Sequence, residues 1–180
     1  MSRGDWMQTY TGRAYYPTCP RAEEVYIEDI AHHLALLCRY TGACSRFYSV
    51  AEHSVLVSLL VPPRFALAGL LHDATEAYLN DLNRPLKRSP GLEQYRIIEA
   101  LNWRAIAQRF SLPNEIPDEV HRADENALFH EQAALLPEVP AGLDWGMGLR
   151  RPEVVRPELV TGWDWQDAET VFMARYEELT

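Results

Sequence analysis

Residues 70–81, LLHDATEAYLND, place His72 and Asp73 side by side, with Glu76 and Asp81 shortly after, inside a run that is otherwise apolar. A second histidine, His53 in SVAEHS, and a distant aspartate, Asp124 in HRADENAL, also fall among apolar positions of helical period. An ionised carboxylate alone in an apolar interior costs several kcal/mol, so two aspartates at inward positions need compensation. Two neutral imidazoles and two carboxylates around one divalent cation supply it. Taken singly, each residue has an ordinary structural explanation, such as a cap, a hydrogen-bonded pair or a half-exposed acid. Four such residues at facing positions point to a metal centre of His53, His72, Asp73 and Asp124. A mixed nitrogen and oxygen donor set suits Mn, Fe, Co, Ni or Zn better than Ca or Mg, and leaves positions open for water and substrate.

The elements that must position these residues can be read from periodicity. Ile27, Ile30, Leu34 and Leu37 mark one amphipathic helix, with Gly42 as its stop. Ser49 and Glu52 have capping-box spacing and open a second helix, which runs to the Pro62-Pro63 break and turns His53 inward. The stretch RFALAGLLHDATEAYL predicts a third helix that leaves at Asn80-Asp81. A fourth passes through Tyr95, Ile98, Asn102 and Ile106, and a fifth follows Pro117-Asp118 through Val120, Ala127, Leu128 and Leu135. Residues 137–166 are rich in Pro, Gly and Trp without helical period, before a closing helix carrying Val171, Met173 and Tyr176. With no sustained strand alternation and no internal repeat, the expectation is an all-α helical bundle of about six helices, one domain over residues 1–180.

Composition narrows the function classes. The chain has 180 residues, 47% of them apolar, enough for a real core. Lys and Arg total 17 against 26 Asp and Glu, which argues against a general nucleic-acid binder. Three cysteines form no CxxC pair, and MSRGDWMQTYTGR has no apolar run suited to a signal peptide or membrane span. The expectation is a cytoplasmic protein with reduced thiols and no membrane partner.

The ordered set His53, His72-Asp73, Asp124 resembles the signature of the HD-domain phosphohydrolases. YSVAEHSVLVS, LLHDATEAYLNDLNRPLKR and HRADENAL are similar to the metal-bearing segments of small bacterial and phage deoxynucleotide phosphohydrolases. IEDIAHHLALLCRY resembles the helix that precedes them. The resemblance implies a helical HD domain, a divalent metal (Mn, Co, Zn, Fe or Mg) and hydrolysis of a nucleotide at its phosphate. Related enzymes with two metals use further histidines between the HD pair and the last aspartate. Only His121 lies there, so a single metal is expected.

Hydrolysis at phosphorus needs an activated water, neutralised phosphate oxygens and help for the leaving oxygen. Glu76, one turn after His72, is the candidate general base or water-orienter. Asp81 matches a functional acidic position of the resembled enzymes, for sugar contact or proton transfer. The run NRPLKRS offers Arg84, Lys87 and Arg88 as local cations, with Lys87 foremost for phosphate. Arg39 and Tyr40 stand where the resembled nucleotidases have an Arg-Trp pair that contacts phosphate and sugar. His32 and His33 rank below His53, because neighbours on a helix diverge by about 100° and at most one could face the metal.

The reading is a metal-dependent phosphohydrolase releasing a deoxynucleoside from a 5′-phosphate or 5′-triphosphate such as dATP, the motif being shared by both classes. Hydrolysis of (p)ppGpp, or a non-catalytic HD module that binds a nucleotide, are the alternatives. The resembled enzymes are often homo-oligomers, which sets the same expectation here.

Overall fold

The computed structural model describes residues 3–143 and 148–180. It is all-α apart from a small hairpin, β1 (Met7–Gln8) with β2 (Ala14–Tyr15), which pairs Met7 with Tyr15 and Gln8 with Ala14. Two-residue strands are too short to show alternation, so periodicity gave no sign of them.

The first two helices follow the expected periods. Helix α1 (Ile27–Leu36) ends at Leu37 rather than at Gly42, and Arg39–Gly42 forms a separate 3₁₀ turn in which Tyr40 and Thr41 have φ of 55° and 54°. Arg39 and Tyr40 therefore sit on a turn beyond the helix, not at its end. Helix α2 (Val50–Leu60) begins as expected, with the Ser49 hydroxyl accepting the Glu52 N–H at 3.0 Å. The reciprocal half of the capping box is replaced. The buried Glu52 carboxylate instead accepts the backbone N–H groups of Thr161, Gly162 and Trp163, each at 2.8 Å. It thereby ties the start of helix α8 (Trp165–Leu179) to α2.

The third expected helix is broken. It divides into α3 (Ala66–Leu71) and α4 (Glu76–Leu79), and residues 72–75 form the turn between them. In that turn Ala74 N–H bonds to Leu71 O at 3.0 Å and Glu76 N–H to Asp73 O at 2.9 Å. These i→i−3 bonds tighten the chain toward 3₁₀ geometry, in which residues three apart align. Glu76 is thus brought into line with Asp73. Gly69 sets the approach of α3 to α2: a Cβ there would lie 3.2 Å from both Ser58 Cα and Val61 Cγ2. That close crossing is what brings His72 within reach of His53.

A short helix α5 (Arg84–Lys87) follows, capped by Asn83, whose side chain accepts Leu86 N–H at 3.1 Å. Helices α6 (Glu93–Phe110) and α7 (Asp118–Leu135) match the fourth and fifth expected helices. Of the irregular stretch 137–166, residues 144–147 lie outside the described residues; the rest holds a 3₁₀ turn at Pro157–Leu159 and the first residues of α8.

Two apolar clusters form the core. One joins α1, α6 and α8 through Ile30, Leu34, Ile106 and Phe172; the other joins α2 to α7 through Leu56, Val57, Val120 and Ala127. Helix α2 serves both, and nine of its residues are buried. A helix buried on nearly every side is a rigid mount for His53. No helix among the described residues is long and apolar enough to cross a membrane.

Candidate metal centre

His53 on α2 is fully buried, and His72 and Asp73 lie on the turn after α3. His53 Nε2 lies 3.3 Å from His72 Nε2 and 3.5 Å from Asp73 Oδ2, while His72 Nε2 lies 3.3 Å from Asp73 Oδ2. A point equidistant from three atoms so spaced is about 2 Å from each, the length of a metal–nitrogen or metal–oxygen bond. The cluster His53, His72 and Asp73 could therefore hold a metal ion. Asp124, projecting from α7, places Oδ1 3.2 Å from His53 Nε2 and is available as a fourth donor.

Both imidazoles are held from behind. His72 Nδ1 donates to Gly69 O at 2.8 Å, and His53 Nδ1 meets Glu131 Oε1 at 2.5 Å. With Nδ1 engaged, each ring turns Nε2 toward the shared point, the arrangement in which an outer hydrogen bond fixes the tautomer of a ligand. The charges answer one another. Burial and Arg39 push the His53 pKa down, but Glu131 and Asp124 outweigh them and raise it to about 9. Burial would raise the Asp73 carboxyl, but His72, His53 and Arg39 hold it far below the usual carboxylate range. Asp124 is lowered too, as its bond to His53 overcomes burial. Such mutual compensation is what a cation-binding pocket requires of its acids.

Asp73 and Asp124 open onto a cavity of about 540 Å³. Arg39, Tyr40, Glu76, Asp81, Arg84 and Lys87 line it as well, so the substrate-facing and acid–base candidates are brought to one space with the metal candidates. Leu128, Val139, Pro140, Leu143 and Leu149 make an apolar wall.

Within this cavity the partners refine the expected roles. The Arg39 guanidinium approaches Asp73 Oδ2 and Glu131 Oε2, both at 3.4 Å. Arg84 approaches Asp124 Oδ2 at 3.5 Å. Both arginines thus stand beside the metal candidates. Lys87 is in a close ion pair with Glu99, which outweighs burial and raises its pKa. Arg88, in the same basic run, is exposed and is not among the residues lining the cavity. The Tyr40 hydroxyl bonds to Glu131, so its oxygen is turned toward the interior.

Glu76 is buried, and its Oε2 has no hydrogen-bond partner. Burial first, then the negative charges of Asp73 and Asp81, hold its carboxyl well above the usual range. Asp81 is raised as well, mainly by burial. A raised carboxyl beside two depressed ones is the pattern by which proton-carrying and charge-holding acids separate.

The other histidines serve elsewhere. His32 Nδ1 pairs with Glu169 at 3.0 Å and its ring stacks on Tyr10, while His33 Nδ1 donates to Ala77 O at 2.7 Å. His130 Nδ1 accepts the Arg156 N–H at 3.1 Å, and His121 is exposed.

Sequence reasoning missed Glu131 and Tyr48. Glu131 is fully buried and receives His53, Tyr40, Tyr48 and Arg39. Its signal was its spacing: seven residues after Asp124, it returns to the same helix face two turns on.

No family model matches the chain. Over 141 residues it is 39% identical to the uncharacterized protein YfdR of Escherichia coli K12, covering 78% of this chain and 75% of the relative. Over 127 residues it is 37% identical to an uncharacterized protein of Rhodobacter capsulatus, covering 66% of this chain and 64% of that one. Both matches run over spans far longer than any single motif, and at that level the chain belongs to the family of YfdR.

Proposed function

We propose that the protein is a metal-dependent phosphohydrolase of deoxynucleotides, cleaving the bond between phosphorus and the 5′-oxygen of a dNMP or dNTP. The observation that carries this reading is the triangle of His53 Nε2, His72 Nε2 and Asp73 Oδ2, with Asp73 and Asp124 facing a cavity lined by cations and raised acids. At about 540 Å³ the cavity has the size of a site for one small ligand.

A divalent cation held by His53, His72, Asp73 and Asp124 would neutralise phosphate oxygens and acidify water. The chain's own residues do the rest. Arg39 and Arg84, already beside Asp73 and Asp124, receive the phosphate oxygens at that end of the cavity. Glu76, in the ionised form that the charge of a bound cation would favour, orients the attacking water and takes its proton as the new phosphorus–oxygen bond forms. Asp81, also held in a raised state, returns a proton to the leaving 5′-oxygen as the old bond breaks. The apolar wall around Leu128 and Val139 accepts the nucleoside and keeps bulk water from the phosphate.

The test is a panel of dNMPs, dNTPs and ppGpp assayed with Mn, Co, Mg and Zn. Release of a deoxynucleoside from one of the first two groups is expected. Turnover of ppGpp alone would reassign the site to signalling nucleotides. Metal binding without turnover of any member would make the domain a non-catalytic nucleotide-binding module.

A further inference from the structure

Glu131 lies behind the metal candidates and faces none of the cavity. Its surroundings are nevertheless built around its charge. Oε1 accepts from His53 Nδ1 at 2.5 Å and from the Tyr48 hydroxyl at 3.0 Å. Oε2 accepts from the Tyr40 hydroxyl, with Arg39 Nε at 3.4 Å. Three hydrogen-bond donors and the Arg39 guanidinium, from three separate stretches of chain, converge on one carboxylate that solvent does not reach. A carboxylate in that position is held ionised only by such donors, and it constrains each of them in return.

Three of these partners matter for the site. His53 with its Nδ1–H directed at Glu131 has its Nε2 lone pair left for the shared point. Arg39 and Tyr40 belong to the turn whose backbone takes positive φ at Tyr40 and Thr41, a conformation that persists only where surrounding contacts over-determine it. The Tyr40 hydrogen bond and the Arg39 ion pair to Glu131 supply such contacts. The turn in question also lines the cavity.

We propose that Glu131 is a positioning residue that sets the tautomer of His53 and locks the Arg39-Tyr40 turn, so that metal affinity and phosphate binding depend on one buried carboxylate. The inference rests on the metal-centre reading and adds a residue that touches neither metal nor substrate.

Glu131→Gln tests it, since it keeps the shape and a hydrogen-bond acceptor for His53 while removing the charge. Manganese titration of the chelator-treated protein should show a dissociation constant weakened about ten- to a hundredfold, the usual effect of losing an outer partner of a metal ligand. In ¹H–¹⁵N spectra, the His53 Nδ1–H proton should move upfield from the strongly downfield position that a short bond to a carboxylate gives. Circular dichroism should show the helical fold retained. Wild-type manganese affinity together with an unmoved His53 resonance would overturn the role. If Glu131→Gln fails to fold, Tyr40→Phe decides: several-fold weaker manganese binding supports the shared network, and unchanged binding overturns it. If the wild-type protein itself binds no divalent ion, the metal reading fails, and that outcome is recognised in the parent rather than the variant.

Discussion

Asp124 and Glu131 hold the same imidazole from opposite ends: Asp124 Oδ1 lies 3.2 Å from His53 Nε2, and Glu131 Oε1 lies 2.5 Å from His53 Nδ1. Both project from α7, two turns apart on one face. A single helix thus supplies both a candidate metal donor and the carboxylate that orients another donor. The register of α7 against α2 is fixed by Val120 and Ala127, packed with Leu56 and Val57 in one apolar cluster. Site geometry and core packing are therefore coupled.

That coupling gives a graded expectation for the donors. His72→Ala and Asp73→Ala each remove one corner of the triangle and should abolish stoichiometric metal binding. Asp124→Asn, at the edge of the cluster, should weaken binding about ten- to a hundredfold. Isothermal titration with manganese ranks the three variants. Full occupancy in His72→Ala would reject the assignment.

A stabilising effect of metal follows from the same charges. Asp73 and Asp124 are kept ionised close together by histidines and arginines alone, and a cation binding only the folded chain adds stability in proportion to its saturation. At a hundredfold excess over its dissociation constant the gain is about 2.7 kcal/mol. For a chain of this length that corresponds to a rise in Tm of roughly 5–10 °C. Thermal melts with manganese and with EDTA measure it, and identical midpoints would speak against a structured cation site.

Glu76→Ala separates chemistry from metal binding. The side chain lies beyond the triangle, so metal occupancy and fold should survive, while kcat falls by about a hundredfold or more, the scale of lost acid–base help. The raised carboxyl and its unpartnered Oε2 are the motive for expecting a chemical rather than a packing effect. A kcat equal to wild type would end the proton-carrier role.

Legibility differed by scale. The convergence of His53, His72, Asp73 and Asp124 could be anticipated because polar groups stand out against apolar periodicity, and Val50–Leu60 and Asp118–Leu135 carried periods and breaks clear enough to bound within a residue or two, whereas the first helix stopped short of the Gly42 signal. The break at residues 72–75 was hidden because its residues keep helical composition, and only the hydrogen-bond register changes. Helix α5 left a sign in Asn83 followed two residues later by Pro85, but four residues fall below any periodic test. Glu52 shows the limit of a motif: the spacing from Ser49 was that of a capping box, yet a partner 109 residues away took the carboxylate. Lys87 likewise read as an open phosphate-binding cation, and only tertiary structure could reveal Glu99 beside it.

The pairing of Lys87 with Glu99 alters what its removal should do. Lys87→Ala takes a positive charge from the cavity wall and leaves Glu99 unpaired, so KM should rise, and more for dATP than for dAMP, with kcat little changed. Adding Glu99→Gln should recover part of the loss. If neither substrate is affected by Lys87→Ala, the pair is structural and Arg39 and Arg84 alone receive the phosphate.

Glu52→Ala probes how the C-terminal helix is held. Its carboxylate accepts three backbone N–H groups at 2.8 Å immediately before α8, and α8 in turn packs Ala168 and Phe172 into the core. Hydrogen bonds to a charged group contribute about 1.5–3 kcal/mol each, but they are not additive when they share one acceptor, so a total loss of roughly 2–4 kcal/mol is expected. Because the donors are partly exposed, water takes over some of them, which keeps the loss below the sum. Urea unfolding gives the stability change, and hydrogen exchange should show protection lost first at residues 161–163 and then along α8. Uniform loss across the chain would mean that Glu52 supports the whole α2 core rather than the docking of one helix.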